Sequence, residues 1–345
     1  MSAAPRTVSH IALVGASSLL GKELSHVLKD RHFPAGDIVL LDASILPGTL
    51  TEAAGEPAFF RALTPESFEG ARLAFFAGPP AETEQNWAAA RNAGADVIDL
   101  SGALFADTST MVRIPALDSM LPPLAARADG QSSPIVYISP PAAVIIACTL
   151  ALALQPISVR PLALLLFPPV SESGQEGVDE LEGQAAGLLS FREISRSVFD
   201  AQVAFNLLAQ YGKDSQRRLA DARAAMERDA SRCLAGRAPV PAIQLVQAPV
   251  FYGYAFAAYA ELAAPLTDEL ARRIEVSLAS FGVRIAAQGE VAPSSVSVAG
   301  ETEIHLARLE ARSGTAGGVW LWGAADNLRL AATNAVRIAE ECIAK

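Results

Sequence analysis

A short apolar strand, a turn bracketed by glycines and an amphipathic helix open the chain, and this order constrains the fold more than any other feature. Residues 10–14 (HIALV) predict the strand, residues 15–21 (GASSLLG) the turn and residues 22–29 the helix, and a second strand is predicted at 38–41 (IVLL). A strand, turn, helix and strand in this order form a βαβ unit, which opens a doubly wound parallel sheet. The N-terminal part is therefore predicted to be a Rossmann-type domain.

Apolar runs farther along the chain continue this sheet and then change in character after Ser139. The 345 residues are enough for two domains. The pair Pro140-Pro141 marks the change, because proline is well placed at a helix start and poorly placed inside a helix. The patterns predict strands at residues 73–78, 95–101 and 162–167 and within 243–262, and helices at 83–93, 142–154, 214–234, 267–281 and 325–343.

Composition and charge argue against several classes of function. A net charge of −10 disfavours nucleic acid as a partner, since an acidic chain repels a phosphate backbone. The histidines form no pair with metal-ligand spacing, and Cys148, Cys233 and Cys342 are far apart, so we expect neither a metal site nor a disulfide framework. Residues 1–10 lack the apolar core of a signal peptide, so a cytoplasmic protein is expected. The uncharged stretch 130–159 is broken by prolines and is predicted to hold a buried helix rather than a membrane span.

The turn after the first strand is the candidate cofactor site. In such a turn, backbone N–H groups and a helix N-terminus bind a pyrophosphate, which requires glycine at three positions. Gly15 and Gly21 fit the outer positions, but the central one holds Ser18, whose Cβ would crowd the pyrophosphate. A turn that binds a dinucleotide and a turn that only packs therefore both stay open. The candidate cofactor-binding residues are Gly15, Ser17, Ser18, Leu19, Leu20 and Asp42.

Asp42 follows the second predicted strand directly. A carboxylate there can accept a hydrogen bond from a ribose 2′-hydroxyl and would repel a 2′-phosphate. If a dinucleotide binds, Asp42 favours NAD over NADP. The alternative is an aspartate that only shapes the turn.

Six segments spread over nearly the whole chain point to one family. They are GASSLLGKEL (15–24), VIDLSGALF (97–105), SGQEGVDEL (173–181), AFNLLAQYG (204–212), VQAPVFYGY (246–254) and DNLRLAATNAVRIAEE (326–341). In the same order they resemble GATGAVGxxL, VIDxSxAFR, SGAGxxGxxEL, AFNxIPQxG, VRVPVFxGH and DNLRKGAAxNAVQIAE of the aspartate-semialdehyde dehydrogenase family. The last three are the most specific.

The resemblance implies an α/β fold in which an N-terminal doubly wound Rossmann-type parallel sheet is joined to an α+β dimerisation domain of catalytic type. It implies that residues 1–136 together with 326–345 form the dinucleotide-binding-type domain and that residues 137–325 form the dimerisation domain. Because the family pairs its subunits through the second domain, a homodimer is implied, with neither nucleic acid nor a membrane as partner.

The functional groups of the family's catalysis are absent from the matching positions. Its enzymes attack the aldehyde with a cysteine thiolate, pass hydride to NADP and release the acyl group to phosphate. Here the cysteine position is Ala142, and the substrate-binding arginine and the proton-moving histidine fall at Gln247 and Tyr254. The phosphate-binding arginine falls at Phe105. Cys148 is a poor substitute for the nucleophile, because six residues along a helix displace it by roughly 9 Å and turn it about 120° to another face.

Two further departures concern the cofactor. The family's arginine for the NADP 2′-phosphate falls at Ile45, and Pro79 and Pro80 replace part of a glycine-rich loop. The chain thus retains the segments of the family but not its catalytic residues. In this it resembles the Usg-like group of the family, which lacks the catalytic residues. The implied function is a non-catalytic, dimeric binding or regulatory protein that requires no cofactor, with residual binding of NAD or NADP left open.

Two other functions stay open. One is an NAD-dependent oxidoreductase of aspartate-family amino-acid biosynthesis with altered chemistry, in which Ser139, Tyr254 and Glu172 take part. Nothing in the sequence places these three residues together, so ordinary hydrogen-bonding roles compete with this interpretation. The other is a subunit that regulates a catalytic paralogue by mixed dimerisation.

Overall fold

The computed structural model describes residues 10–53, 55–117, 133–309 and 317–344. Residues 1–9, which include nearly all of the segment without a signal-peptide core, lie outside the described residues. The first three residues of the uncharged stretch 130–159 lie outside them as well. The chain forms two compact units, one of Met1–Pro141 with Ala331–Lys345 and one of Ala142–Leu330. The domain boundaries predicted at residues 136 and 326 stay predictions.

The described part of the first unit forms an eight-stranded sheet. Its strands are β1 (Ile11–Val14), β2 (Ile38–Leu41), β3 (Leu50–Ala53), β4 (Glu56–Arg61), β5 (Leu73–Phe76), β6 (Asp96–Asp99), β7 (Met111–Val112) and β8 (Val136–Ile138), in the order β3-β4-β2-β1-β5-β6-β8-β7. All neighbours are parallel except β3 and β4. The chain moves outward from β1 in both directions, which is the doubly wound arrangement that the sequence predicts.

Helices α1 (Leu19–Asp30) and α2 (Pro80–Asn92) belong to this unit, together with most of the C-terminal helix α7 (Asn327–Ile343). Strands β1 and β5 are buried at every position. Such continuously apolar strands are typical of a parallel sheet that is covered on both faces. Side chains of α1 and α7, among them Leu24, Val336 and Ile338, complete the same core.

The second unit is built on a six-stranded mixed sheet among its described residues. The strands are β9 (Ala163–Phe167), β10 (Ala242–Leu245), β11 (Tyr254–Glu261), β12 (Val283–Ile285), β13 (Ile304–Leu306) and β14 (Gly318–Ala325), in the order β10-β9-β11-β14-β13-β12. Its helices are α3 (Ala142–Leu154), α4 (Gly174–Leu189), α5 (Leu219–Leu234) and α6 (Asp268–Ser280). Along β11 buried and partly exposed residues alternate, so one face of the sheet is covered and the other is not.

Helix α3 begins directly after Pro141, as predicted, and all thirteen of its residues are buried. It packs against α5 and α6. A helix that is apolar on every side is stable in water only when its surroundings cover it completely, which explains the uncharged stretch. No helix among the described residues is long and apolar enough to cross a bilayer.

Two predicted elements differ in extent. The apolar run 243–262 contains β10 and β11, and the residues between them leave the sheet before Gly253, which has a φ of 79°. The helix predicted from residue 214 begins at Leu219. Residues before it bind the preceding loop instead, since Asp214 N donates to Asp200 Oδ2 at 2.9 Å and Ser215 Oγ donates to Val198 O at 2.8 Å.

Candidate functional site

The turn between β1 and α1 makes a close backbone contact with the end of β5. Gly15 has a φ of 72°, and a Cβ on it would collide with the backbone of Gly78. Ser18 fixes the same contact, since its Oγ donates to Ala77 O at 2.8 Å and accepts from Gly21 N at 2.8 Å. Ser18 is thus the N-cap of α1. Its hydroxyl is therefore directed into the protein, at the contact between the turn and the end of β5.

Asp42 directs both carboxylate oxygens into the protein. Oδ2 accepts from Ser17 N at 2.9 Å, and Oδ1 accepts from Ser44 N at 2.9 Å and from Ser44 Oγ at 2.6 Å. Burial by itself would raise the pKa of Asp42, but the hydrogen bonds from Ser44 and Ser17 outweigh it and lower that pKa. The side chain is therefore an anion that joins two turns, with only 5% of the residue exposed.

These contacts test whether the turn fits the dinucleotide that its fold implies. Two of the N–H groups that would bind a pyrophosphate, those of Ser17 and Gly21, already have side-chain acceptors. Within the turn, residues 15–21, only the backbone N–H groups of Leu19 and Leu20 lack an acceptor among the described residues. Among the predicted residues, Ser17, Ser18 and Asp42 are thus bonded within the protein, whereas the N–H groups of Leu19 and Leu20 at the start of α1 have no acceptor among the described residues.

Three positions that the resemblance assigns to catalysis or cofactor binding hold apolar side chains. Phe105 follows β6 and is buried, and Ile45 packs at the edge of the first unit's core. Ala142 is the buried first residue of α3. Cys148, farther along α3, is also fully buried, and its Sγ lies 3.9 Å from Ala230 O of α5. It therefore packs inside the second unit.

Gln247, at the position of the substrate-binding arginine, has its amide fully engaged within the second unit. Its Nε2 donates to Pro168 O at 2.9 Å and to Ala248 O at 2.8 Å, and its Oε1 accepts from Tyr211 Oη at 2.7 Å. Only 1% of the residue is exposed. The side chain thus connects the end of β9 with the loop that carries Tyr211 and offers no N–H group to a ligand.

Replacing Gln247 by leucine should lower the free energy of unfolding by about 2–3 kcal/mol, because two buried carbonyls and a phenol lose their partner. Chemical denaturation monitored by circular dichroism measures the change. Gln244→Leu is the matched control, since Gln244 lies on β10 and is exposed, and it should change stability by less than about 0.5 kcal/mol. Equal effects of the two substitutions would contradict the internal role of Gln247.

Tyr254 and Glu172 lie next to each other in the second unit. Tyr254 is fully buried, and the Glu172 carboxyl lies beside its hydroxyl. Burial, and then the nearby Glu172 carboxyl, raise the pKa of Tyr254. Asn327 Nδ2 donates to Glu172 Oε1 at 2.7 Å, and the Arg217 guanidinium lies nearby. A phenol beside a carboxyl thus stands at the position that the resemblance assigns to the histidine.

Ser139, the third residue suggested for altered chemistry, belongs to the first unit. Its Oγ accepts from Asn334 Nδ2 at 2.9 Å. Within the second unit, the structure brings Tyr254 and Glu172 together. Sequence reasoning did not single out Tyr211, whose only signal is its position in the segment AFNLLAQYG. Asn327 also contributes here, since its Oδ1 accepts from Gly253 N at 3.0 Å and its Nδ2 donates to Glu172 Oε1 at 2.7 Å.

Comparison with known proteins identifies both units. Residues 10–138 match the family description "Semialdehyde dehydrogenase, NAD binding domain", and residues 167–330 match "Semialdehyde dehydrogenase, dimerisation domain". The two matched ranges together cover most of the chain.

Individual relatives carry two kinds of name. A USG-1 protein homolog of Pseudomonas aeruginosa is 32% identical over 337 residues, which cover 96% of each chain. The aspartate-semialdehyde dehydrogenase of Bacillus subtilis is 24% identical over 344 residues, again with 96% of each chain covered. Among solved structures, a probable aspartate-semialdehyde dehydrogenase from Pseudomonas aeruginosa superposes with a TM-score of 0.82 at 30% identity and covers 97% of this chain and 98% of its own.

Proposed function

The chain belongs to the semialdehyde dehydrogenase family, and from this premise we propose that it is a non-catalytic member that acts as a dimeric binding or regulatory protein. The observation that carries the proposal is the internal bonding of Gln247. A residue at the substrate-binding position whose amide is engaged by Pro168, Ala248 and Tyr211 cannot bind a substrate carboxylate without breaking contacts of the fold.

The other matching positions support the same proposal by their chemistry. Ala142 has a methyl group and cannot form a thiohemiacetal with an aldehyde. The Tyr254 phenol has a raised pKa and therefore does not act as a base at neutral pH. Phe105 is buried and has no charge to bind phosphate. A reaction would need a nucleophile, a base and two anion-binding groups, and none of these four positions supplies one.

The test is an assay of the purified protein with aspartate semialdehyde, phosphate and either NAD or NADP. We expect no phosphate-dependent formation of the reduced dinucleotide above a blank without protein, while the Bacillus subtilis enzyme assayed in parallel should turn over. We also expect Ala142→Cys to stay inactive, because the thiol would still lack the arginine and the histidine at positions 247 and 254. Turnover by the unchanged protein, or measurable rescue by the single substitution, would contradict the proposal.

A homodimer is part of the proposal, and the uncovered face of the second unit's sheet supports it. That face is lined by aromatic and small side chains from three adjacent strands: Phe167, Leu165, Ala257, Tyr259, Trp320 and Trp322. The rings of Tyr259 and Trp320 lie 5.1 Å apart, and those of Phe167 and Trp322 lie 6.3 Å apart. Residue Trp320 is 65% exposed. A flat apolar surface of this kind is characteristic of an interface, and a second copy of this chain is the occupant that the dimerisation-domain match favours.

We propose that no cofactor is required for this role. The alternative, an NAD-dependent oxidoreductase with altered chemistry, has one observation in its favour, the adjacency of Glu172 and Tyr254. A carboxyl next to a phenol can hold and pass a proton. That alternative needs a bound dinucleotide, so a direct binding measurement separates it from the main proposal.

A further inference from the structure

The crevice where a dinucleotide would lie is bordered in the first unit by the ends of three strands. Gly15 N donates to Leu41 O at 2.9 Å, and Ala77 N donates to Val14 O at 3.0 Å, so the turns after β1, β2 and β5 are held together. In a doubly wound sheet this edge is the place for a nucleotide. Whatever occupies it decides which ligands can bind.

The carboxylate of Glu82, which extends from the first turn of α2, occupies this edge. Its Oε1 accepts from Ala43 N at 3.1 Å, directly after β2. Its Oε2 lies over the Cα of Gly78, so close that a Cβ on Gly78 would collide with it, and Gly15 Cα borders the same position. One side chain thus reaches from the end of β2 to the contact between the glycines that end β1 and β5.

The charge at this edge is negative. Asp42 lies next to Glu82, and burial and then the Asp42 carboxylate raise the pKa of Glu82 against the effect of the Ala43 N–H. A dinucleotide would have to bring its phosphates past the Glu82 carboxylate, which lies at the contact between Gly15 and Gly78. It would also have to displace the acceptors that Ser17 N, Gly21 N and Ala43 N already have.

We propose that Glu82 is an internal plug of the dinucleotide crevice, which takes the place and the hydrogen bond of an anionic ligand group and so keeps NAD and NADP from binding. The inference goes beyond the proposed function, because loss of turnover does not by itself require loss of dinucleotide binding. It identifies the residue that separates this crevice from one able to bind a dinucleotide.

Calorimetric titration of the purified full-length protein with NAD and then NADP tests the proposal. Glu82→Ala removes both the bulk and the charge and should bind NAD at least about tenfold more tightly than the wild type, since one like charge near the phosphates is removed. Glu82→Gln removes only the charge and should fall between the two. Affinity for NADP should rise less, because Asp42 remains.

Glu84→Gln is the matched control, since Glu84 lies on the same helix and is exposed; it should leave binding unchanged. Thermal unfolding without ligand confirms that each variant folds, and Glu82→Gln, which is nearly isosteric, keeps the test valid if the alanine variant is unstable. The proposal would be contradicted if the wild type bound NAD with micromolar affinity. It would also be contradicted if neither Glu82 variant bound NAD more tightly than Glu84→Gln does. Neither result bears on the turnover assay, so the two proposals can fail separately.

Discussion

Replacing Glu180 by alanine is expected to destabilise the protein by about 3–5 kcal/mol, because several buried donors would lose one shared acceptor. The Glu180 carboxylate, on α4, accepts from Val198 N at 2.6 Å, from Phe199 N at 3.3 Å and from Ser197 Oγ at 3.0 Å. It is 5% exposed. Water has little access to replace it, so the backbone donors would stay unsatisfied.

The effect should extend along the loop that follows α4. Gln184, one helical turn after Glu180, accepts from Val203 N at 2.7 Å and donates to Ser195 O and to Ala201 O, both at 2.9 Å. Together the two side chains hold the loop that leads to Tyr211, the partner of Gln247. Loss of Glu180 should therefore loosen the surroundings of Gln247 as well.

Denaturant unfolding at neutral pH measures this change, and hydrogen exchange of the Val198 and Phe199 amides localises it. Glu182→Ala is the control on the same helix, where the side chain is exposed, and it should shift stability by less than about 0.5 kcal/mol. A Glu180→Ala variant whose free energy of unfolding lies within about 1 kcal/mol of the wild type, the size of one ordinary hydrogen bond, would show that the loop finds other acceptors.

The second large effect concerns the proposed dimer. Arginine at both Trp320 and Trp322 should convert a dimer into a monomer, because aromatic residues at the centre of an interface often contribute about 2 kcal/mol or more each and two charged groups would be buried against each other. Sedimentation velocity of the wild type and the double variant at the same concentration measures the outcome. The Trp322 indole also donates to Pro293 O at 2.8 Å, so its loss should cost some monomer stability as well.

Val276→Arg provides the control for charge and solubility. Val276 is 70% exposed on α6, a helix that packs against α3 and not on the aromatic face of the sheet, so this variant should keep the wild-type mass. A double variant that still sediments as a dimer would place the interface elsewhere. A wild type that sediments as a monomer would remove the dimer from the proposal and favour a heterologous partner, such as a catalytic paralogue.

Several elements could be predicted from the sequence because local pattern alone decides them. The strand predicted at residues 10–14 and the helix predicted at 142–154 are apolar runs with a turn or prolines at their borders, and the structure has them at Ile11–Val14 and Ala142–Leu154. Strands β12 and β13 were not predicted, since three residues in a strand are too few for a period to be recognised.

In the candidate sites, too, some residues can be identified from the sequence and others only from the structure. The sequence identifies Ala142 and Gln247 as departures from the family pattern, since a changed residue type is visible without coordinates. It does not identify Glu82, which lies 40 residues after Asp42 in the sequence and meets Ala43 only because β2 ends where α2 begins, at the same edge of the sheet. The sequence suggests Asp42 as a residue that binds a ribose hydroxyl, whereas in the structure its oxygens accept hydrogen bonds from Ser17 and Ser44.

The sequence by itself determined the doubly wound first unit and the chemical identity of the side chains at each matched position, because both depend on residue type and on short-range periodicity. Only the tertiary structure decided what those side chains do: that the Gln247 amide is fully bonded within the protein, that Tyr254 lies beside Glu172, and that the Glu82 carboxylate covers the glycines of the crevice. The physical reason is that a hydrogen bond or a charge pair depends on distances of a few ångströms between residues far apart in the chain, and packing alone sets those distances.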